Sequence, residues 1–495
     1  MKRILASVLA SLMLLPALAA CSSGGQQGTD TTAPATSPAA DTGTTVAEET
    51  TTDRAHTKDN LPADLNFNGE TVRIACRGQE LFTWELIADD NGDVVDSAIY
   101  TRNLNVEERL GVKLSVIEGD SDQGKYMDNI RATILATSPD YDIIAGAQYK
   151  AAQMVLQNCF RNLADEEYLD FEQPWWDSGY MENLTVDPQQ IYMLAGDLTM
   201  TKIAWTAALY FNKSLYEDKF GDPNELYNTI LKGEWTLDKL SQLCADVYED
   251  RNGDGTKDTE DIMGLYFDHA DQADRITFSL GIRFTERGED GYPTLVFNNE
   301  RTVGAVDAMY KLFYENPGVS YTEGGPDKFV DGKSLFKSGS LFTATTFGQY
   351  DLDYGILPWP KLNAEQDAYY SGVQDNIALY MLPITVDDAR ADMLCAVLEA
   401  MCSENYRIVT RAYYETALKF KYSDGELYSS VVDLIHNSAT TDIAYVYSYS
   451  LNNIGTLIRN NIIKANNPNF SSLYKKFDKA VNASLATLIN YYKAT

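Results

Sequence analysis

Histidine is almost missing from this 495-residue chain: His56, His269 and His436 are the only three. No HExxH, CxxC or paired-histidine spacing occurs, which argues against a zinc enzyme. GxSxG and GxxxxGK[ST] are both missing, so there is neither a nucleophile elbow nor a P-loop. Basic residues are few. Lys and Arg number 40 against 72 Asp and Glu, and the formal net charge is −32. Such a polyanion repels nucleic acid and anionic lipid, and it suits neutral or cationic small ligands. Cysteine is sparse too. Beyond Cys21, the five that remain (Cys76, Cys159, Cys244, Cys395 and Cys402) are odd in number and scattered, which is no disulfide framework. Cys395 and Cys402 share a helical face but stand about 10 Å apart along it, too far to bridge. No short tandem repeat is present, which argues against solenoids and propellers.

What is there begins with MKRILASVLASLMLLPALAAC. Lys2 and Arg3 form a basic start, and Ile4 to Leu15 an apolar stretch too short to span a bilayer comfortably. Leu18-Ala19-Ala20-Cys21 resembles the bacterial lipobox. Residues 1–20 therefore read as a lipoprotein signal peptide, with Cys21 acylated and the chain held at the extracellular face of the bacterial cytoplasmic membrane. An ordinary secretory signal with an incidental cysteine is the alternative. Residues 21–60 are rich in Thr, Ser, Gly and Pro and hold no aromatic residue. That composition cannot offset ordering entropy, so it reads as a disordered tether reaching roughly 35 Å.

From Leu65 the pattern is α/β. TVRIAC (71–76), VKLSVIE (112–118) and YDIIAG (141–146) read as strands. Helical stretches at 96–111 and 122–139 separate them, which implies a parallel sheet covered by helices. The alternation resumes with a helix at 235–250, opened by Thr236. It continues through MGLYFD (263–268), a helix at 298–316, YGILPWP (354–360) and a strongly apolar helix at 391–404. The length and 44% apolar content allow two large domains.

Between helix 235–250 and strand 263–268 lies DRNGDGTKDTED. Asp250, Asn252, Asp254, Asp258 and Asp261 take positions 1, 3, 5, 9 and 12 of a calcium loop. Gly255 takes position 6, and Thr256 offers its carbonyl at 7. Asp at position 12 replaces the bidentate Glu, and a strand follows where an EF-hand has its second helix. The loop reads as a structural calcium brace; a solvated acidic turn is the alternative. A sensor role does not fit, because there is no helix pair to open.

YDIIAGAQY (141–149), ALYFNKSLYED (208–218), GEWTLDKL (233–240), VFNNERTVGAVDAMYKLF (296–313), SLFKSGSLFTATTFGQYD (334–351) and GILPWPKLNAEQDAYYSG (355–372) also stand in a telling order. With the lipobox, they resemble extracellular solute-binding protein family 1, the maltose-binding-protein type of ABC transporter substrate-binding lipoproteins. The resemblance implies two α/β lobes joined by a hinge of crossing strands, with a ligand cleft between them. It also implies an ABC permease as partner, and a monomer. It places the crossings in 196–210 and 343–351. Lobe one is then 61–200 plus 346–400, and lobe two 206–343 plus 401–495.

In open α/β sheets ligands lie beyond the carboxyl ends of the strands. Those positions hold Arg77, Gln79 and Trp84, then Gln148 and Tyr149, then Asp268 and His269. Trp205 falls in the first crossing, Gln349 and Tyr350 in the second, and Gln374 and Asp375 follow. Aromatic faces and amide or acid side chains suit a sugar. Trp84, Gln148, Trp205 and Asp268 lead the list. Trp175-Trp176 lines a rim or pins a loop. The expected activity is capture of a carbohydrate without catalysis. A polysaccharide-degrading hydrolase and a binder of another solute, such as a peptide, are the alternatives.

Overall fold

The computed structural model describes residues 54–258, 260–267, 269–322, 324–325, 327–414 and 425–494. Its strands in chain order are β1 (Glu70–Cys76), β2 (Val112–Glu118), β3 (Ile143–Ala147), β4 (Ala207–Asn212), β5 (Met263–Phe267), β6 (Thr285–Arg287), β7 (Pro293–Leu295), β8 (Val319–Tyr321), β9 (Ser334–Ser340), β10 (Tyr354–Leu357), β11 (Ser371–Gly372), β12 (Ala378–Met381) and β13 (Ala439–Thr440).

The first sheet runs β12-β3-β1-β2. β1 lies parallel to both β2 and β3, and β12 closes the edge antiparallel to β3. Helix Val94–Leu110 connects β1 to β2. The Asp93 carboxylate caps its start by accepting from the amides of Val95 and Asp96, and Gly111 ends it at φ 59. That left-handed turn is open to glycine without penalty. Asp122 caps helix Gln123–Leu135, which leads to β3. Ile99, Val106, Leu110, Tyr126, Ile130 and Ile134 are the buried stripes that seat both helices on the sheet.

The second sheet runs β10-β4-β9-β5-β8. Here β5 is parallel to β8 and β9, while β4 is antiparallel to β9 and β10. Thr236 caps helix Leu237–Val247 through the Lys239 amide, as its sequence position implies. These are two α/β lobes. Among the described residues no helix is long and apolar enough to cross a membrane.

Three boundaries differ from the expectation. β10 pairs with β4, so 346–357 belongs to lobe two, because antiparallel pairing carries the chain back along the same sheet. Residues 401–409 belong to lobe one, because helix Asp388–Glu404 and its continuation Asn405–Val409 both pack on helix Val94–Leu110. The tether is shorter than 21–60. Arg54 bonds Asp197 at 2.7 Å and lies 4.1 Å over the Tyr406 ring. Asp59 takes both arms of Arg109 and the Ser403 hydroxyl. Trp175 and Trp176 pin a loop: both are buried, and their indole N–H groups donate to Glu399 at 3.0 and 2.8 Å. Cys76, Cys159, Cys244, Cys395 and Cys402 are free and buried.

Candidate functional site

Three chain segments lie side by side where the lobes join. Thr206 bridges Val373, the Val373 amide donates to Thr440, and β11 pairs in parallel with β13. The first crossing therefore falls inside the predicted 196–210. The second falls at 371–378 rather than 343–351, and a third, 438–442, was not foreseen. The first two crossings are stitched again near lobe one. Thr201 donates its amide to Glu85 and accepts the Ala378 amide on its hydroxyl. Glu85 also accepts from the Tyr380 hydroxyl, and burial pushes its carboxyl up to about 7. A hinge held by three short crossing segments can turn without breaking either sheet.

The carboxyl end of β3 meets the second crossing here. Gln148 and Tyr149 donate their amides to the carbonyls of Ile377 and Asp375, at 3.1 and 3.2 Å. Trp205 accepts the Gln374 amide at 3.3 Å. Four buried polar atoms of this stretch have no partner: Gln148 Nε2, Trp205 Nε1, Gln374 Oε1 and Asn376 Oδ1. A buried donor or acceptor left unpaired costs about 1–3 kcal/mol. Water or a ligand can supply such missing bonds. Both donors and acceptors are in the set, which is what sugar hydroxyls satisfy.

Charge collects beside them. Arg459 bonds Asp274 at 2.8 Å. Burial pushes Asp375 up to about 6, with Arg459 and Arg275 opposing and Asp271 adding to the rise. Burial drives Asp274 well above the usual carboxylate range, with Arg459 again opposing. Its Oδ1 is a further unpartnered acceptor. On the lobe-one side Tyr149 stacks on Tyr449, ring centres 5.7 Å apart and planes 27° apart. Tyr449 is 58% exposed, an aromatic face open to a ligand. Arg77, partly desolvated by burial, lies within electrostatic reach of Tyr149 and donates to the Ser121 carbonyl.

Of the residues the sequence put forward, Arg77, Gln148, Trp205 and Gln374 come together at this junction, as do Tyr149 and Asp375. Trp84 does not. Its indole donates to Asp96 at 2.6 Å and its ring packs edge-on against Tyr413, so it braces lobe one. Gln349 bonds only its own turn at Thr346, and Tyr350 is exposed beside it, ahead of β10. Moving the crossing to 371–378 leaves that pair in lobe two. Asp268 lies outside the described residues, and His269 is exposed. Tyr449, Asp274 and Arg459 were missed. Arg459 carried a signal: it is the one charge in residues 443–463, an otherwise neutral and aromatic stretch.

In the acidic loop Asp250 accepts the Gly253 and Gly255 amides, and Asp254 accepts that of Thr256. Asp261 is fully buried and accepts from Arg251 and Asp258. The Asn252 amide donates to Asp254 and Asp258, at 3.2 Å each. Positions 3, 5 and 9 thus converge through the Asn252 amide group. The Lys328 ammonium donates to the Asp258 carbonyl. Among the described residues no three acidic, His or Cys side chains already form a metal-holding group. Side-chain oxygens of the kind calcium takes stand at positions 1, 3, 5, 9 and 12, and the Asn252 oxygen accepts the Asp254 amide at 3.1 Å.

No family model and no curated protein matches the sequence. Solved structures match the fold. The cyclic α-maltosyl-1,6-maltose binding protein of Arthrobacter globiformis is 13% identical with TM-score 0.57, covering 84% of this chain and 99% of that one. The ABC substrate-binding protein Lmo0181 of Listeria monocytogenes, in complex with cycloalternan, is 10% identical with TM-score 0.54, covering 84% and 99%. UgpB of Mycobacterium tuberculosis, in complex with glycerophosphocholine, is 13% identical with TM-score 0.53, covering 81% and 98%. The fold is that of the two-lobed substrate-binding proteins of ABC transporters. Within that class it is the fold of the extracellular solute-binding proteins of family 1.

Proposed function

We propose that the chain is the substrate-binding component of an ABC importer, that it takes a carbohydrate, and that it works without catalysis. The observation that carries this reading is the junction itself. Gln148 of lobe one and Trp205, Gln374 and Asn376 of two crossings carry unpaired polar atoms there, and the Tyr149–Tyr449 stack and the Asp274–Arg459 pair belong to the same junction. A ligand touching both sides gains affinity only when the lobes are brought together, which is the differential binding that closes a hinge. Proteins of the same fold are described in complex with cycloalternan and with maltotetraose, which supports the sugar class. The lipobox supports acylation at Cys21, attachment at the outer face of the cytoplasmic membrane and delivery to a permease pair. The protein acts as a monomer.

Calcium, held by Asp250, Asn252, Asp254, Asp258 and Asp261 with the Thr256 carbonyl, braces the loop between helix Leu237–Val247 and β5. It takes no part in ligand capture.

A thermal-shift screen of the full chain against mono- and oligosaccharides tests the reading. A saccharide that raises the melting temperature and is recovered unchanged supports it. Cleavage of an oligosaccharide supports the hydrolase, for which the neighbouring buried carboxyls Asp274 and Asp375 are the pertinent feature.

A further inference from the structure

We propose that the β6–β7 hairpin of lobe two is a latch that holds the lobes in the mutual orientation seen here, through Arg287 and Tyr292. The inference rests on the two-lobed reading above but uses none of the ligand-facing residues. The hairpin is rooted in lobe two. At its base Phe284 stacks on Phe297 of that lobe with ring centres 4.3 Å apart, and the amides of Phe284 and Thr285 donate to Asp442 at the end of the third crossing. Its outer end grips lobe one. Arg287 donates to the carbonyls of Glu182 and Thr185 at 2.7 Å each and of Val186 at 3.3 Å. Its Nε lies 3.4 Å from the Glu182 carboxylate. Tyr292 donates to Asp187 at 2.6 Å, under a Lys493 ammonium 4.3 Å from its ring centre.

The acceptors explain the choice of arginine. Glu182 lies in the last turn of helix Ser178–Leu184 of lobe one, and Thr185 and Val186 lie in the chain that leaves it, so three carbonyls converge at the helix C-terminus. A planar five-donor cation satisfies several of them at once and meets the negative end of the helix dipole. Because hairpin and helix belong to different lobes, every one of these bonds breaks if the lobes turn apart. The bonds therefore bias the hinge and do not stabilise either lobe alone.

Paired spin labels at Leu135→Cys in lobe one and Leu231→Cys in lobe two, both exposed, report the lobe separation in a Cys21→Ser background. The other native cysteines are buried and stay silent. In the ligand-free chain the expected result is a loss of the distance seen here, by about ten-fold in population for Arg287→Ala and by less for Tyr292→Phe. A wild-type protein that samples two separations, with both variants unchanged, overturns the latch and leaves the hinge. One rigid separation in all three proteins, also with maltotetraose added, overturns the latch together with the hinge. Tyr292→Phe keeps the test alive if Arg287→Ala does not fold.

Discussion

Asp142 holds two guanidiniums at once in lobe one. Arg73 donates to it from side chain and backbone, and Arg390 donates from helix Asp388–Glu404. Burial alone would raise its carboxyl, but the two guanidiniums outweigh burial and hold it at about 2. The folded form lies below the ordinary value of 3.8, so its stabilisation is present above that value and is lost as pH falls towards 2. Asp142→Asn is expected to cost about 2 kcal/mol at neutral pH in urea unfolding, with the gap narrowing below pH 4. At the junction, Tyr449→Ala is expected to weaken saccharide binding at least about ten-fold while leaving the melting temperature of the free protein within a degree or two, because the ring is mostly solvent-facing. Calorimetric titration beside a melting curve separates the two effects.

At the scale of elements, the close seating of helix Leu237–Val247 on the second sheet depends on two glycines. A Cβ on Gly264 or Gly318 would collide with the Cys244 backbone. Gly318→Ala is expected to destabilise by more than about 3 kcal/mol, since backbone on a sheet has nowhere to move. Soluble yield and urea unfolding check it. This helix was legible in the sequence because Leu237, Leu240, Leu243 and Val247 recur at helical spacing behind a capping threonine. The parallel β1-β2-β3 unit was legible for the same reason, with short apolar runs alternating with striped helices. The crossings were not. β11 and β13 hold two residues each, too few for any periodicity, and their pairing joins residues far apart in the chain. β10 was visible as a strand, but nothing in YGIL says which sheet it enters. Arg77, Gln148, Trp205 and Gln374 were within reach because the ends of strands can be read. Tyr449 lies in a 3-10 turn, Ser448–Leu451, and Arg459 in a π-helical segment, Ile458–Lys464, and only the folded backbone brings them to Tyr149 and to Asp274. Trp84 misled because an indole after a strand has more than one partner to reach, and Asp96 was nearer than the junction.

For the whole molecule, several buried carboxyls set the response to pH. Burial raises Glu85 and Glu399 to about 7 and Asp375 to about 6. The folded protein keeps protons that the unfolded chain releases from about pH 4.5 upward. The resulting penalty is absent below that pH, grows as pH rises, and is complete above about pH 7. Net charge of −32 pushes the same way through self-repulsion. With the opposite trend of Asp142 below pH 4, thermal stability is expected to peak between about pH 4 and 4.5 and to fall towards pH 8. A melting series across that range reads it directly. Chelation is a second whole-molecule probe. If calcium replaces the Asn252 amide between its carboxylates, a chelator lowers the melting temperature of the wild type and leaves Asp254→Ala unmoved. Equal melting of both proteins with and without chelator removes the brace.

The central claim is that two hinged lobes hold an intact carbohydrate between them. The most direct measurement is calorimetric titration of the full chain with the saccharide that shifts melting most, followed by recovery of the sugar. The account predicts one site per chain, a negative heat-capacity change from burial against the tyrosine pair, loss of binding in Tyr449→Ala, and sugar returned uncut. A shortened sugar in the recovered sample, or binding that Tyr449→Ala leaves untouched, would contradict it.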